Sequence, residues 1–142
     1  MWDAERVRIE ENKAIVCRWL DLVSWHDVDA LCAATAPSWR MHGGPPGLPP
    51  GHAGIRALFR LLDQVDQHWT VDDAIAEGDR VAVRATSRWV QASFLGVPGC
   101  GPVQTFTATL VFQVVDGRVA ATWCSADGLG RLLRLAPAMA VC

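Results

Sequence analysis

Asp127 is the residue whose surroundings in the sequence are best suited to chemistry. It follows a largely apolar run, 120–126, that contains Trp123, so we expect its carboxyl group to lie away from other charges. Burial of this kind raises the pKa of a carboxyl group and lets it exchange protons near neutral pH. The alternative is a helix cap, because Asp127 precedes a segment, 129–135, that is expected to form a short helix. Capping would lower the pKa of the carboxyl group instead.

His42 is the second candidate for proton transfer. The unperturbed pKa of a histidine side chain lies near neutrality, so this residue could serve Asp127 as a base or an orienting group. The alternative is a strand-end histidine that bonds to loop backbone or points outward. No pair among the four histidines has metal-ligand spacing, and the five cysteines are scattered without a Cys-x-x-Cys pair. We therefore expect no metal and no disulfide framework.

Aromatic residues could supply the walls of a ligand cavity, because the chain has seven Trp and no Tyr. We expect two or three of a set of five to contact a flat polycyclic ligand and the others to pack in the core. The set is Trp19, Trp39, Phe59, Trp89 and Trp123. Thr122 and Trp123 are neighbours on one strand, so only one of them can face the cavity.

The elements that must position these residues are helices first and strands afterwards. Apolar spacing predicts helices at 5–25, 29–33 and 55–65, with Asp27 capping the second, and a short strand at 39–42. From Trp69 onward apolar and polar residues alternate, which predicts antiparallel strands joined by turns at 78–79 and 116–117. The alternation places Arg84, Arg88 and the threonines at 105, 107 and 109 on the solvent side.

This order indicates an α+β fold in a single domain, 1–142, with a curved antiparallel sheet wrapped around a long first helix as a cone. The chain has 142 residues, of which 51% are hydrophobic, and a net charge of −2 without a basic run. Nucleic-acid binding is therefore not expected. The sequence also has no apolar run of membrane-spanning length, and its charged first residues lack a signal-peptide core, so we expect a cytoplasmic protein.

Seven short segments carry a resemblance to a known family through their order and spacing. They are residues 12–16, 27–31, 36–37, 47–51, 76–84, 94–98 and 116–119. Together they resemble the SnoaL-like polyketide cyclases of the nuclear transport factor 2-like superfamily. The resemblance covers nearly the whole chain and implies a cone-shaped α+β barrel, a homodimer, and ring closure of polyketides without a metal or organic cofactor.

The resemblance also implies roles for individual residues. Asp127 matches the general acid/base of an intramolecular aldol reaction, and His42 matches a polar residue at the end of the first strand. Three positions depart from the family pattern. Thr122 stands where members often carry His, and Leu110 stands where they often carry a polar or acidic residue. Met41, directly before His42, stands where they often carry an acidic residue. We therefore include Leu110 and Thr122 among the residues expected to contact substrate.

These observations together predict a cofactor-independent cyclase, of lyase or isomerase type, that acts on a polycyclic or polyketide-like small molecule. The alternatives are another enzyme of the superfamily (an isomerase, an epoxide-opening hydrolase or an oxygenation-assisting enzyme) or a non-catalytic dimeric module that binds small molecules. The lack of Tyr argues against an oxyanion hole of the ketosteroid-isomerase type. The solvent-side positions of Arg84 and Arg88 argue against epoxide opening.

Overall fold

The computed structural model describes residues 2–63, 65–91, 93–94, 97–98 and 103–126. Asp127 and the segment 129–135, which is expected to form a helix, lie outside the described residues, as does most of the loop 94–102. The predicted α+β fold is confirmed: three helices pack against one face of a five-stranded sheet in the described part of the chain.

Three helices occupy the first part of the chain, as predicted. Helix α1 (Trp2–Ser24) buries apolar side chains at helical spacing, and α2 (Val28–Ala33) begins where the Asp27 carboxylate accepts a hydrogen bond from the Ala30 amide at 3.2 Å. Helix α3 (Gly51–Leu61) ends before the predicted limit at residue 65. Val65 instead begins a strand, in which the side chains of Val65 and Gln67 are buried and those of Asp66 and His68 are exposed.

The main sheet has the strand order β1-β7-β6-β3-β2, and β4 (Ser93–Phe94) and β5 (Val97–Pro98) form a separate small pair. The strands of the main sheet are β1 (Thr35–His42), β2 (Val65–Glu77), β3 (Arg80–Gln91), β6 (Val103–Val115) and β7 (Arg118–Ala126). Neighbours are antiparallel except β1 and β7, which run parallel. This differs from the expected antiparallel sheet, and it is possible because a helix and five strands separate β1 from β7 in the chain.

The two predicted turns close the long hairpins. Asp116 and Gly117 join β6 to β7 with φ of 52° and 76°, the positive values that a tight Asp-Gly turn requires. Gly78, with φ of 58°, joins β2 to β3, and its carbonyl accepts a hydrogen bond from Asn12 of α1 at 3.2 Å. These turns set the register of four of the five strands.

Alternation gives the sheet an inner face, packed against the helices, and an outer face. The inner face includes Val83, Ala108, Leu110 and Phe112, all buried with the helices in one core. The outer face carries Arg84, Arg88 and the threonines at 105, 107 and 109, and their exposure confirms the solvent-side prediction. No helix in the described ranges combines the length and the apolar composition that a membrane crossing requires.

Candidate active site

The neighbours Thr122 and Trp123 of β7 lie on opposite faces of the sheet, and the structure assigns each of them. Thr122 is buried on the inner face and pairs with Phe112, whereas Trp123 pairs with Val111 and lies on the outer face. Leu110, one further pair along, is buried opposite Cys124. Among the described residues, the inner face over 106–114 of β6 and 119–124 of β7 is therefore apolar apart from the hydroxyl group of Thr122 and the thiol of Cys124.

The indole N–H groups of two predicted cavity residues, Trp19 and Trp39, each donate a hydrogen bond inside the protein. Trp19 Nε1 donates to Thr35 Oγ1 and Trp39 Nε1 donates to Thr122 Oγ1, each at 3.0 Å. The Trp39 side chain is 0% exposed and its ring centroid lies 6.3 Å from that of Trp19. These contacts join α1, β1 and β7, and they leave neither indole donor free for a ligand. Phe59 of α3 is also buried, against the His26 ring at 4.9 Å.

A second group of aromatic side chains lies on the inner face where β2 and β6 begin and β3 ends. We call Gln67, Trp69, Ser87, Trp89 and Phe106 the mouth cluster. The Phe106 ring stands edge-on to the indoles of Trp69 and Trp89, at centroid distances of 6.0 Å and 5.3 Å. Both tryptophans are half-buried, so part of each ring can be reached from outside.

Hydrogen bonds within the mouth cluster fix its polar groups. Trp69 Nε1 donates to Gln67 Oε1, and Trp89 Nε1 donates to Ser87 Oγ, both at 2.8 Å. The Trp69 backbone amide donates to Ser24 Oγ of α1 at 2.8 Å, which anchors β2 to the helix. Of this cluster only Trp89 is among the residues predicted to bind substrate. Gln67 and Trp69 were missed, although the alternation that begins at Val65 extends through both.

The end of β7 lies beside the mouth cluster. Ala126 pairs with Ala108 of β6, two residues from Phe106. Asp127, the next residue in the sequence, lies outside the described residues, and its predicted acid/base role stays a prediction. The described part of β7 therefore ends at the same end of the sheet as Trp69, Trp89 and Phe106.

His42 lies on the outer face because β1 alternates: Trp39 and Met41 pack inward, whereas Arg40 and His42 are exposed outward. Its ring stacks on Trp123 at a centroid distance of 5.0 Å and an interplanar angle of 11°. The guanidinium carbon of Arg80 lies 4.7 Å from the centroid of the same indole. The structure therefore does not bring His42 or Trp123 together with Thr122 and Leu110, and their predicted roles at the site remain untested.

A groove of about 760 Å³ surrounds this stacked group on the outer face. The ionisable residues of its lining are mostly basic, with a single carboxylate among them: Arg40, His42, Arg80, Arg118 and Asp116. The groove is open to solvent and lies on the other side of the sheet from the mouth cluster. It is a separate surface from the inner face.

The described inner face offers few ionisable groups. Among the described residues the buried polar side chains are uncharged ones, namely Asn12, Thr35, Gln67, Ser87 and Thr122. Burial raises the pKa of the Cys124 thiol above its ordinary value, so this group stays protonated at neutral pH. Within the described ranges no three His, Cys, Asp or Glu side chains are grouped so that they could hold a metal ion.

Several solved structures share this fold. A candidate polyketide cyclase from Acidithiobacillus ferrooxidans superposes with a TM-score of 0.75 at 21% identity, over 89% of this chain and 95% of that one. An NTF2-like protein from Burkholderia pseudomallei gives a TM-score of 0.70 at 23% identity, over 88% and 96%. IdmH from Streptomyces antibioticus, described as a candidate polyketide cyclase, gives 0.72 at 25% identity, over 88% and 98%.

The sequence itself agrees with the structural likeness. No curated protein matches the chain at a significant level. The profile of one family, described as the SnoaL-like domain, matches residues 16–122, which is most of the chain. This match includes all of α2, α3, β1, β2, β3 and β6, and β7 as far as Thr122. The chain therefore belongs to the SnoaL-like domain family.

Proposed function

We propose that this protein is a single-domain, cofactor-independent cyclase that closes a ring in a polyketide-like substrate, with Asp127 as general acid and base. The observation that carries the proposal is the uncharged inner face: its buried described residues include no carboxylate, and β7 ends beside the mouth cluster directly before Asp127. A single carboxyl group in such surroundings has a raised pKa, so that it can take up and release a proton near neutral pH. Membership of the SnoaL-like family supports the reaction class.

The reaction would be an intramolecular aldol addition without net gain or loss of atoms. The Asp127 carboxylate takes a proton from the carbon between two carbonyl groups, and the resulting enolate carbon forms a bond to a third carbonyl carbon. The oxygen of that carbonyl then takes the proton back from Asp127. A positioned acid/base contributes about 10²–10⁴-fold in rate. The aromatic walls add to this by holding the chain in a folded shape.

The polyketide-like substrate is supported by two observations. IdmH, at 25% identity, is described as a candidate polyketide cyclase, and the half-buried rings of Trp69 and Trp89 offer flat apolar surfaces. Of the residues predicted to contact substrate, Trp89 is the one at the mouth cluster, with Leu110 and Thr122 buried further along the same face. We propose that the ligand enters over Trp89.

The proposed mechanism assigns no proton transfer to His42, because its ring lies on the outer face. The predicted role of His42 can be tested by substitution. If His42 takes no part in proton transfer, His42→Ala should retain the turnover of the natural chain. A loss of turnover comparable to that of an Asp127 variant would instead favour the predicted pairing of His42 with Asp127. The outward stacking on Trp123 favours the first outcome.

A non-catalytic binding module is the second candidate function. It is favoured by one observation, that Leu110 and Thr122 fill positions where polar partners for a developing enolate are expected from the family resemblance. With uncharged residues there, the inner face could bind a planar ligand and perform no chemistry. Such a module would bind the same ligands as the cyclase and would be indifferent to the charge of Asp127.

Turnover of an Asp127→Asn variant tests the cyclase proposal. The assay presents a linear poly-β-ketone thioester and follows the formation of a ring isomer of unchanged or dehydrated mass by chromatography and mass spectrometry. Asp21→Asn, the same change at an exposed position of α1, is the matched control. We expect a fall of about 10²-fold or more for Asp127→Asn only. Equal turnover by the folded Asp127→Asn protein would refute the proposal.

We also propose that the outer face forms a homodimer with a second copy. The outer side of β6 is uncharged and carries the threonines at 105, 107 and 109, and large apolar side chains lie exposed on the same face: Ile75, Val103 and Val115. Arginines flank this strip on the neighbouring strands β3 and β7, and acidic side chains lie on the next strand, β2. An uncharged centre with a charged rim is typical of protein interfaces, and a twofold axis lets one such face pair with itself.

Sedimentation velocity of two matched variants tests the dimer. Ile75→Glu places a charge on the outer face, whereas Leu61→Glu makes the same change on α3 at a comparable exposure, 64% against 68%. We expect Ile75→Glu to shift the dimer towards monomer and Leu61→Glu to leave it unchanged. A natural chain that sediments as a monomer, or a dimer that tolerates Ile75→Glu, would contradict this proposal.

We propose that the protein is located in the cytoplasm. Among the described residues Cys17, Cys32 and Cys124 are free thiols, which is the usual state of cysteines in a reducing compartment. Thiol labelling of the protein in intact and in lysed cells would test the location.

A further inference from the structure

The Gln67 side chain holds a buried hydrogen-bond donor that has no acceptor. The residue is 3% exposed, and among the described atoms its Nε2 forms no hydrogen bond. Other buried polar side chains of the inner face are satisfied: the hydroxyl groups of Thr35, Ser87 and Thr122 each accept a bond from an indole. A buried carboxamide left half-satisfied is unusual and needs a physical reason.

The orientation of the Gln67 amide follows from its one partner. An indole N–H can only donate, so the atom that receives the 2.8 Å bond from Trp69 Nε1 must be the carbonyl oxygen of Gln67. The remaining end of the amide is therefore the NH₂ group, which carries two hydrogens and no lone pair to accept with. Whatever completes this site must present an oxygen or another acceptor.

The surroundings of the Gln67 amide restrict the shape of that acceptor. Gln67 pairs with Trp89 across β2 and β3, and Trp69 pairs with Ser87. Phe106 stands edge-on to both indoles, which are half-buried and so open on one side. A flat molecule lying on these rings would bring a substituent oxygen towards the NH₂ group. A charged side chain or a bulky aliphatic group fits this setting poorly.

We propose that Gln67 donates a hydrogen bond to a ketone or enolate oxygen of a planar ligand, and that Trp69 is the positioning residue that holds the amide in this orientation. The inference deepens the proposed function and rests on it for the reaction, because an enolate oxygen gains negative charge as Asp127 removes the proton. A preset donor binds that oxygen more strongly than the neutral ketone. Gln67 then favours substrates with a carbonyl group at the mouth cluster.

The binding test uses two naphthalenes that differ in one group. 2-Acetylnaphthalene carries a ketone, and 2-isopropenylnaphthalene carries a methylidene group of similar shape in its place. Both are neutral, so the basic groove on the outer face does not distinguish them. Quenching of tryptophan fluorescence gives both dissociation constants. We expect the natural chain to bind the ketone about threefold to tenfold more tightly than the alkene, the worth of one hydrogen bond in a buried site.

Three variants assign that preference to particular residues. Gln67→Leu removes the donor and should make the two affinities equal, and Trp69→Phe should reduce the preference because the amide is no longer held. His68→Leu, the neighbouring residue on the opposite face of β2, should retain the full preference. If Gln67→Leu fails to fold, the natural chain still provides a readout: the side-chain NH₂ resonances of Gln67 should move downfield with the ketone and not with the alkene.

The inference is overturned if the natural chain binds neither naphthalene, or binds both equally, or if the Gln67 NH₂ resonances do not respond to the ketone. These measurements need no turnover, so their failure is separate from that of the cyclase proposal. A Gln67-dependent preference together with full turnover by Asp127→Asn would leave the binding site standing and remove the acid/base chemistry. If the natural chain shows no preference for the ketone but Asp127→Asn lowers turnover, the acid/base chemistry stands and the Gln67 binding site is removed.

Discussion

Replacing Thr122 with Val tests whether its hydroxyl group supports the fold. Val keeps the shape of Thr but cannot accept the 3.0 Å hydrogen bond from Trp39 Nε1. Thr122 and Trp39 are 1% and 0% exposed, so water cannot replace the lost acceptor. An orphaned buried donor costs about 1–3 kcal/mol of folding free energy. For a chain of this size that corresponds to a fall in Tm of roughly 2–12 °C.

Urea unfolding followed by far-ultraviolet circular dichroism measures this effect. Thr70→Val, the same change at an exposed position, is the control and should lie within about 0.5 kcal/mol of the natural chain. A double-mutant cycle with Trp39→Phe isolates the pair, since Thr122→Val should cost less once the indole N–H is gone. If Thr122→Val is as stable as Thr70→Val, the Trp39–Thr122 bond does not hold β1 to β7 and the hydroxyl is free for a ligand.

Two further predictions concern the backbone and the thiols around β7. Gly43→Ala should destabilise the protein more than Gly47→Ala in the same urea experiment. Both glycines have positive φ, which costs an alanine about 1–2 kcal/mol. Of the two, only the new Cβ at position 43 would also collide with a neighbour, the carbonyl oxygen of Cys124. Equal losses would show that the loop moves aside. Burial raises the pKa of the Cys124 thiol in the folded state. Its contribution to the free energy of unfolding should therefore be complete below the unfolded-state pKa and be lost as the pH rises through the folded-state pKa. Cys124→Ala should reduce this loss of stability at alkaline pH, and an unchanged dependence of stability on pH would contradict the assignment.

Local signals in the sequence were enough to predict most of the elements. The Asp27 cap, the Asp116-Gly117 turn and the exposed threonines of β6 all depend on contacts within a few residues, and each is confirmed. The α+β class followed from the order of these elements. Interactions of this kind are visible in a sequence because helix capping, turn geometry and strand alternation are short-range.

Features that depend on distant pairing were not predicted. The parallel pairing of β1 with β7 joins residues about eighty positions apart, and no local pattern encodes it. The faces of Thr122 and Trp123 stayed open because both sides of β7 are largely apolar. Val65 fits the helical spacing of α3 as well as the alternation of β2, which hid the start of the strand and with it Gln67.

The measurement that tests the central claim most directly is the titration of the Asp127 carboxyl group by ¹³C NMR, with Asp127→Asn to assign its resonance. The proposed acid/base role predicts a pKa above the ordinary value of an aspartate, caused by its apolar surroundings. A pKa below the ordinary value would mean that the carboxylate accepts backbone hydrogen bonds as a helix cap. That result would contradict the cyclase mechanism and favour the binding module.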